Sequence, residues 1–93
     1  MDKKKLRYAI LKELDSGNKN INEATFGISQ EEFKEQVDFL VREGYISKPM
    51  YADNIVYSMS FVNVKEKGED YLSTNSSWSK LYAAAKEIRD WVK

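Results

Sequence analysis

The fold of this chain is decided by residues 28–46, which read Ile-Ser-Gln-Glu-Glu-Phe-Lys-Glu-Gln-Val-Asp-Phe-Leu-Val-Arg-Glu-Gly-Tyr-Ile. Ser29 suits a helix N-cap and Glu32 follows three residues later, so the two side chains can satisfy backbone amides at a helix start. Apolar residues then recur at helical spacing: Phe33, Val37, Leu40 and Val41. Gly44 ends the helix, because glycine readily adopts the left-handed conformation. The stretch predicts one capped helix that passes into extended chain.

Two shorter patterns precede this helix. Residues 2–16 predict a first helix with Asp2 as its cap, Gly17 as its end and an apolar face formed by Leu6, Ala9, Ile10 and Leu14. Residues 21–27 contain few apolar positions and have room for little more than a turn or two of helix. The first half therefore predicts three helices with a reduced middle one.

The chain after Gly44 has the pattern of a β-hairpin. Residues 45–52 and 55–62 flank Asp53-Asn54, a dipeptide that tolerates the positive φ angles of a tight turn. With a two-residue loop, the predicted pairs are Ile46 with Phe61, Lys48 with Met59, Met50 with Tyr57, and Ala52 with Ile55. This register makes one face largely apolar and places Tyr45, Pro49, Tyr51 and Val56 on the other, where Pro49 suits an edge.

Two more helices are predicted after the hairpin. Asn63 is expected to cap the first of them, with Glu66 reaching back to the cap and Gly68 inside the helix. From Ser77 a last continuous helix carries a heptad-like apolar stripe of Trp78, Leu81, Ala85, Ile88 and Val92. The order of elements predicts an α+β fold, a single winged helix-turn-helix domain over residues 1–93.

Composition narrows the possible functions. Fifteen basic and fifteen acidic residues cancel, so no global field draws the protein to nucleic acid or to anionic lipid. The absence of cysteine and histidine removes thiol nucleophiles, the usual zinc ligands and the commonest acid/base side chain. No apolar run approaches the roughly 18 to 20 residues that span a bilayer. We expect a cytoplasmic protein with no enzymatic activity, cofactor, metal or membrane partner.

Four segments in this order carry a family resemblance. They are residues 6–13 (Leu-Arg-Tyr-Ala-Ile-Leu-Lys-Glu), 42–46 (Arg-Glu-Gly-Tyr-Ile), 66–72 (Glu-Lys-Gly-Glu-Asp-Tyr-Leu) and 78–91, which begins Trp-Ser-Lys and ends Lys-Glu-Ile-Arg-Asp-Trp. The chain resembles the YjcQ family of small bacterial and prophage proteins. This resemblance implies a winged-helix fold and a bacterial or phage origin, and it brings no established activity.

A second likeness concerns Lys67-Gly68, which is similar to the Leu-Thr-x-Lys-Gly element that follows the wing in many winged-helix transcription regulators. Here Val64-Lys65 replaces Leu-Thr. The replacement removes the threonine cap of those regulators and weakens the link to them.

The first functional hypothesis is binding of double-stranded DNA, with the third helix in the major groove and the wing against the backbone or minor groove. Its candidate residues are Gln30, Lys34 and Gln36 on the helix and Lys48 in the hairpin. Charge opposes this docking, because residues 30–44 hold five acidic and two basic residues, a net charge of −3. A variant moves the contact to a basic cluster, Lys3, Lys4, Lys5 and Arg7, together with cations of the last helix; the alternative is a solvated helix face.

The second hypothesis is a protein-interaction adaptor built on the same scaffold. Its candidate surface is the outward face of the hairpin, with Tyr45, Tyr51 and Val56, unless these residues cover a neighbouring helix. The last helix offers a homodimer surface through Trp78, Leu81 and Ile88, unless that stripe closes the monomer's own core. Trp91 lies beside the stripe, and its exposure in a monomer would indicate a partner.

Overall fold

A computed structural model describes residues 2–93 of the chain; the predicted domain's Met1 lies outside them. The described part is α+β, with six helices and one antiparallel hairpin. The elements are α1 (Lys3–Asp15), α2 (Glu23–Phe26), α3 (Gln30–Arg42), β1 (Met50–Ala52), β2 (Ile55–Ser58), α4 (Glu66–Thr74), α5 (Ser77–Ala84) and α6 (Ile88–Trp91). This order is compatible with a winged helix. No helix within residues 2–93 is long and apolar enough to cross a membrane.

The first three helices begin and end where the local sequence predicts. The Asp2 side chain accepts hydrogen bonds from the backbone amides of Lys4 and Lys5 at the start of α1. Ser29 and Glu32 form the predicted reciprocal capping box of α3. Gly44 has a φ of +80°, so the chain leaves α3 through a conformation that other residues rarely adopt. These predictions are confirmed. Each concerns side chains only a few residues apart, so a local pattern is enough to predict it.

The middle helix is reduced to a single turn. In α2 the Asn22 side chain accepts from the amides of Ala24 and Thr25, and Thr25 bonds back to the amide of Asn22. Phe26 ends the turn and packs on Phe33 of α3, with ring centroids 6.0 Å apart. The short helix therefore fixes one aromatic side chain in the core.

The hairpin turn is confirmed, but the predicted register is wrong beyond the first pairs. Asp53 and Asn54 have φ angles of 51° and 64°, and Ala52 pairs with Ile55. A bulge follows, so Met50 pairs with Ser58 and not with Tyr57. Farther from the turn, Ile46 forms an isolated bridge with Val64 and not the predicted pair with Phe61.

The burial of the second strand also differs from the prediction, and the difference begins before the bulge, because Val56 pairs with Tyr51 on the turn side of it. Val56, predicted to face outward, is only 7% exposed and belongs to the core. Tyr57 and Phe61, predicted to face inward, are 69% and 76% exposed. The apolar side chains that the hairpin exposes therefore differ from the predicted ones: Tyr57 and Phe61 are on the surface, and Val56 is not.

The start of α4 also differs from the prediction. Its N-cap is Lys65, which makes no capping hydrogen bond through its side chain. The amide of Asn63 donates instead to the Ser47 hydroxyl at 2.9 Å, and its side-chain oxygen accepts from Lys19 at 3.0 Å. Asn63 therefore joins the base of the hairpin to the loop after α1.

The predicted continuous last helix is broken into α5 and α6. Ala85 and Glu87 have extended backbone angles between them, with ψ values of 132° and 151°. The break lets Trp91 fold back onto Tyr8 of α1, beside Trp78 and Tyr82, with ring centroids 5.4–5.8 Å apart in this cluster. Burial of these rings favours the break over a straight helix, since aromatic side chains bury large apolar areas.

Candidate binding surfaces

One carboxylate occupies the centre of the face that α3 shares with the hairpin. Asp38 accepts a hydrogen bond from Lys34 at 2.8 Å and another from the Tyr51 hydroxyl at 2.7 Å. The Lys34 ammonium also lies 5.8 Å from the centre of the Tyr51 ring. The hairpin is thus joined to the exposed side of α3 through the same side chains that were predicted to contact DNA or a partner.

The electrostatics of this cluster favour the ionised carboxylate. Burial alone would raise the pKa of Asp38, but hydrogen bonds from Lys34 and Tyr51 and the positive charges of Lys34 and Arg42 lower it below its ordinary value. Burial and the hydrogen bond to Asp38 raise the pKa of Tyr51 to about 12. At neutral pH the cluster therefore holds a carboxylate, an ammonium and a neutral phenol, and the charge of Lys34 is already compensated.

The other predicted DNA contacts of this face are divided. Gln30 is exposed, and its amide donates to Glu23 at 3.3 Å. Gln36 is 1% exposed and accepts a hydrogen bond from Arg7 at 2.7 Å, so it is absent from the surface where a base reader would have to lie. Lys48 is exposed in the loop before β1. The face keeps few free cations for phosphate.

The basic cluster at the start of α1 lies beside α3. Lys3 forms an ion pair with Glu35 at 3.5 Å. Arg7 stacks on Phe39 with 3.7 Å between its guanidinium carbon and the ring centre, and Lys5 lies 5.1 Å from the centre of the Trp91 ring. Lys4 is exposed. The cluster is therefore partly used to join α1 to α3 and α6.

Two of the cations at the C-terminal end have partners outside the basic cluster of α1. Arg89 donates to the carbonyl of Ala24 in α2, and Lys93 pairs with Asp90 at 3.5 Å. Lys80 and Lys86 are exposed. Arg89 therefore joins α6 to α2, and Lys93 pairs with a residue of α6 itself.

A pocket that the sequence reasoning missed lies between α1, α3 and α4. It has a volume of about 350 Å³. Its lining combines two cations, four aromatic rings, an amide and a leucine: Lys4, Arg7, Phe39, Leu40, Tyr45, Tyr71, Asn75 and Trp78. The signal in the sequence was weak, because these residues come from four separate segments and meet only after folding.

The residues predicted for a partner surface on the hairpin are mostly covered. Tyr45 packs between Phe39 and Tyr71, with ring centroids 6.5 and 5.5 Å away. Tyr51 is half-exposed and bonded to α3, and Val56 is buried. Besides Tyr51, the large apolar side chains that the hairpin and its C-terminal end expose are Met50, Tyr57 and Phe61.

The C-terminal stripe is also divided. Trp78 and Ile88 are half-buried against the core, whereas Leu81 is 63% exposed. Trp91 is 5% exposed, and its indole nitrogen donates to the carbonyl of Lys5 at 2.8 Å. Trp91 is therefore satisfied within one chain and gives no indication of a partner.

These observations define the class of protein as a small α+β chain in which a helical unit carries a hairpin and contains a pocket lined by aromatic rings. A family model described as YjcQ protein matches residues 8–91. The chain is 46% identical over 95 residues to "Uncharacterized protein YjcQ" of Bacillus subtilis (strain 168), with both chains covered completely. A solution NMR structure of the YjcQ protein from Bacillus subtilis matches with a TM-score of 0.69 and 43% identity, over 80% of this chain and 96% of that one. The chain belongs to the YjcQ family, as the sequence resemblance predicted.

Proposed function

We propose that this chain is a non-catalytic, cytoplasmic winged-helix module that acts by binding a protein partner through its hairpin. In this proposal α3 takes the position of the recognition helix and the hairpin is the wing. The packing of β2 on α3 and the turn between α2 and α3 support that assignment. The prophage origin suggested by the sequence remains a prediction.

The observation that carries the proposal is the exposure of Met50, Tyr57 and Phe61 beside an acidic helix. Exposed large apolar side chains of a hairpin suit a protein contact, because aromatic residues give large contact area at low entropic cost. The adjacent α3 has a net charge of −3 over residues 30–44. We therefore expect a partner with an apolar docking site flanked by lysine or arginine, since such charges complement α3.

The Asp38 cluster supports a protein partner over DNA in the usual winged-helix mode. A duplex docked on α3 would bring phosphates toward Asp38, Glu31 and Glu35, while Lys34 is already paired with Asp38. Phosphate contacts normally supply most of the sequence-independent affinity through counterion release. An acidic docking face would lack this contribution to the affinity for DNA.

Site-specific crosslinking tests the protein proposal. A photoreactive residue is placed at Phe61, and in a matched chain at Leu81, and each is expressed in Bacillus subtilis. We expect one protein to crosslink at position 61 and not at 81. The purified partner should lose about tenfold or more in affinity for a Tyr57→Ser, Phe61→Ser variant, the loss expected of anchor residues, and should bind wild type more weakly as salt rises. Equal crosslinking at both positions, or unchanged affinity of the variant, contradicts the proposal.

DNA binding is a second candidate, favoured by Lys3 and Lys4, which are exposed on α1 beside α3. Fluorescence anisotropy of a labelled mixed-sequence duplex at two salt concentrations tests it. Salt-sensitive binding that a Glu31→Lys, Glu35→Lys variant strengthens would place α3 against DNA and overturn the assignment of this face to a protein. A flat anisotropy at low salt excludes the DNA candidate.

A further inference from the structure

The pocket between α1, α3 and α4 has a charge that differs from that of the protein as a whole. Lys4 and Arg7 contribute two positive charges, and the lining residues within 2–93 include no carboxylate. Neither cation forms an ion pair with an acidic side chain of the described residues. Lys67 lies near the same aromatic wall, 5.2 Å from the centre of the Tyr45 ring. In a chain of zero net charge, this site is locally cationic.

Arg7 is held in place by residues that are themselves fixed. Its Nε donates to the side-chain oxygen of Gln36 at 2.7 Å, and Gln36 is 1% exposed. Its guanidinium lies over the Phe39 ring, with the central carbon 3.7 Å from the ring centre. The terminal nitrogens make no hydrogen bond to residues 2–93. A fixed guanidinium with two unused nitrogens is suited to bind a phosphate oxygen pair.

The remaining walls are aromatic and half-buried. Tyr45 and Tyr71 lie 5.5 Å apart between ring centroids, and Trp78 lines the pocket next to Asn75. The Asn75 amide donates to the carbonyl of Tyr71 at 2.9 Å, which fixes the side chain. A volume of about 350 Å³ is at the small end of ligand pockets, which hold about 300–1,000 Å³. Such walls suit a planar ring, because aromatic surfaces stack at low entropic cost.

We propose that this pocket binds a small molecule that combines an aromatic ring system with a phosphate group. The phosphate lies against Arg7 and Lys4, and the ring lies against Tyr45, Tyr71 and Trp78. The larger pocket beside α6, of about 490 Å³, is lined by Glu87 and Asp90 as well as by Arg89 and Lys93, so it lacks this one-sided charge. The inference is independent of the partner proposed for the hairpin.

Naphthyl phosphate is the probe, with naphthol and inorganic phosphate as comparison ligands. Isothermal titration calorimetry gives the affinities, and amide chemical shifts locate the site. We expect naphthyl phosphate to bind at least about tenfold more tightly than either comparison ligand, with shifts at Phe39, Tyr71 and Asn75. Absence of saturable binding up to millimolar probe overturns the proposal. So does equal affinity for inorganic phosphate or for naphthol, which would indicate an ion or an apolar contact alone.

Two variants and a matched control assign the affinity to the pocket. Arg7→Gln should weaken binding about tenfold to a hundredfold, the loss expected for hydrogen bonds to a charged group. Arg42→Gln removes the same charge from a residue that is also near Phe39 but outside the pocket, so binding should change little. If Arg7→Gln does not fold, the exposed Lys4→Gln variant replaces it, with a loss of about two- to fivefold. Equal effects at Arg42 and at the pocket cations overturn the proposal.

Discussion

Gly68 of α4 lies directly against the backbone of Tyr45, the residue after Gly44 at the end of α3. A Cβ atom on Gly68 would be 2.5 Å from the Tyr45 carbonyl oxygen and 2.8 Å from a methyl carbon of Val64. The same carbonyl accepts a hydrogen bond from the amide of Lys65 at 2.8 Å, so it cannot move away freely. The absence of a side chain at position 68 therefore sets how closely α4 approaches the base of the hairpin.

Gly68→Ala should destabilise the fold, although the same change in an ordinary helix interior stabilises it by about 0.5–1 kcal/mol. The added methyl group overlaps a backbone atom, and overpacking of this kind costs about 1–3 kcal/mol. Urea unfolding followed by circular dichroism measures the free energy of unfolding. Glu69→Ala, at the next and exposed position of α4, is the matched control and should change it by less than about 0.5 kcal/mol. Increased stability of Gly68→Ala would mean that α4 does not contact Tyr45 as closely.

Tyr51→Phe should raise the pKa of Asp38 toward its ordinary value of 3.8, because it removes one of the two hydrogen bonds that favour the carboxylate. NMR titration of the Asp38 carboxyl carbon measures this shift. Tyr57→Phe is the control, since Tyr57 is exposed on the other strand of the hairpin and the phenol that donates to Asp38 is that of Tyr51. A pKa that stays lowered in Tyr51→Phe would assign the effect to Lys34 and Arg42 alone.

The contribution of the hydrogen bond between Tyr51 and Asp38 to the stability of the fold should decrease at low pH. The folded-state pKa of Asp38 lies below its unfolded value, so the stabilisation is complete above about pH 4 and is lost as the pH falls through the folded pKa. We expect Tyr51→Phe to reduce the free energy of unfolding by about 0.5–1 kcal/mol at pH 7, and by less near pH 2. Urea titrations at the two pH values give this difference. An equal loss at both would mean that the hydroxyl acts without the ionised carboxylate.

Local interactions explain which parts of the fold were predictable from the sequence. The caps at Asp2 and Ser29 and the Asp53-Asn54 turn depend on neighbours along the chain. The burial of Val56 accompanies the packing of β2 against α3, and the bulge is an irregularity in the pairing of two strands, so no pattern of neighbouring residues encodes either. The break before α6 depends on Trp91 reaching Tyr8, far away in sequence.

The same distinction applies to the candidate surfaces. The acidic character of α3 was predicted, because it can be counted along one helix. The hydrogen bond between Arg7 and Gln36 joins residues 29 positions apart. Gln36, which was predicted to contact DNA bases, is therefore bonded within the core. The same bond holds Arg7 in one wall of the pocket. The pocket itself needs four segments to meet, so the sequence alone could not reveal it.

Asn54→Val should destabilise the hairpin, because Asn54 has a φ of 64° and a β-branched residue resists that region. The expected loss is about 1–2 kcal/mol in the free energy of unfolding. Asn54→Gly is the matched variant at the same position and should be neutral or stabilising, since glycine favours this turn. Hydrogen exchange of the β1 and β2 amides should show the loss first. Equal stability of the two variants would contradict the left-handed turn.

Replacement of Trp91 and of Leu81 should separate closure of the monomer core from self-association. Trp91 is buried against Tyr8, Trp78 and Tyr82, so Trp91→Ala should cost about 3–5 kcal/mol, a large part of the stability of a small domain. Leu81 lies on the same apolar stripe but is exposed, so Leu81→Ala should change the free energy of unfolding by less than about 0.5 kcal/mol.

Urea unfolding at two protein concentrations measures both values. If one chain closes its own core, neither midpoint depends on protein concentration. A concentration-dependent midpoint in the wild type that Leu81→Ala abolishes would instead mean that the exposed part of the stripe pairs two chains, because only an oligomer couples its stability to concentration.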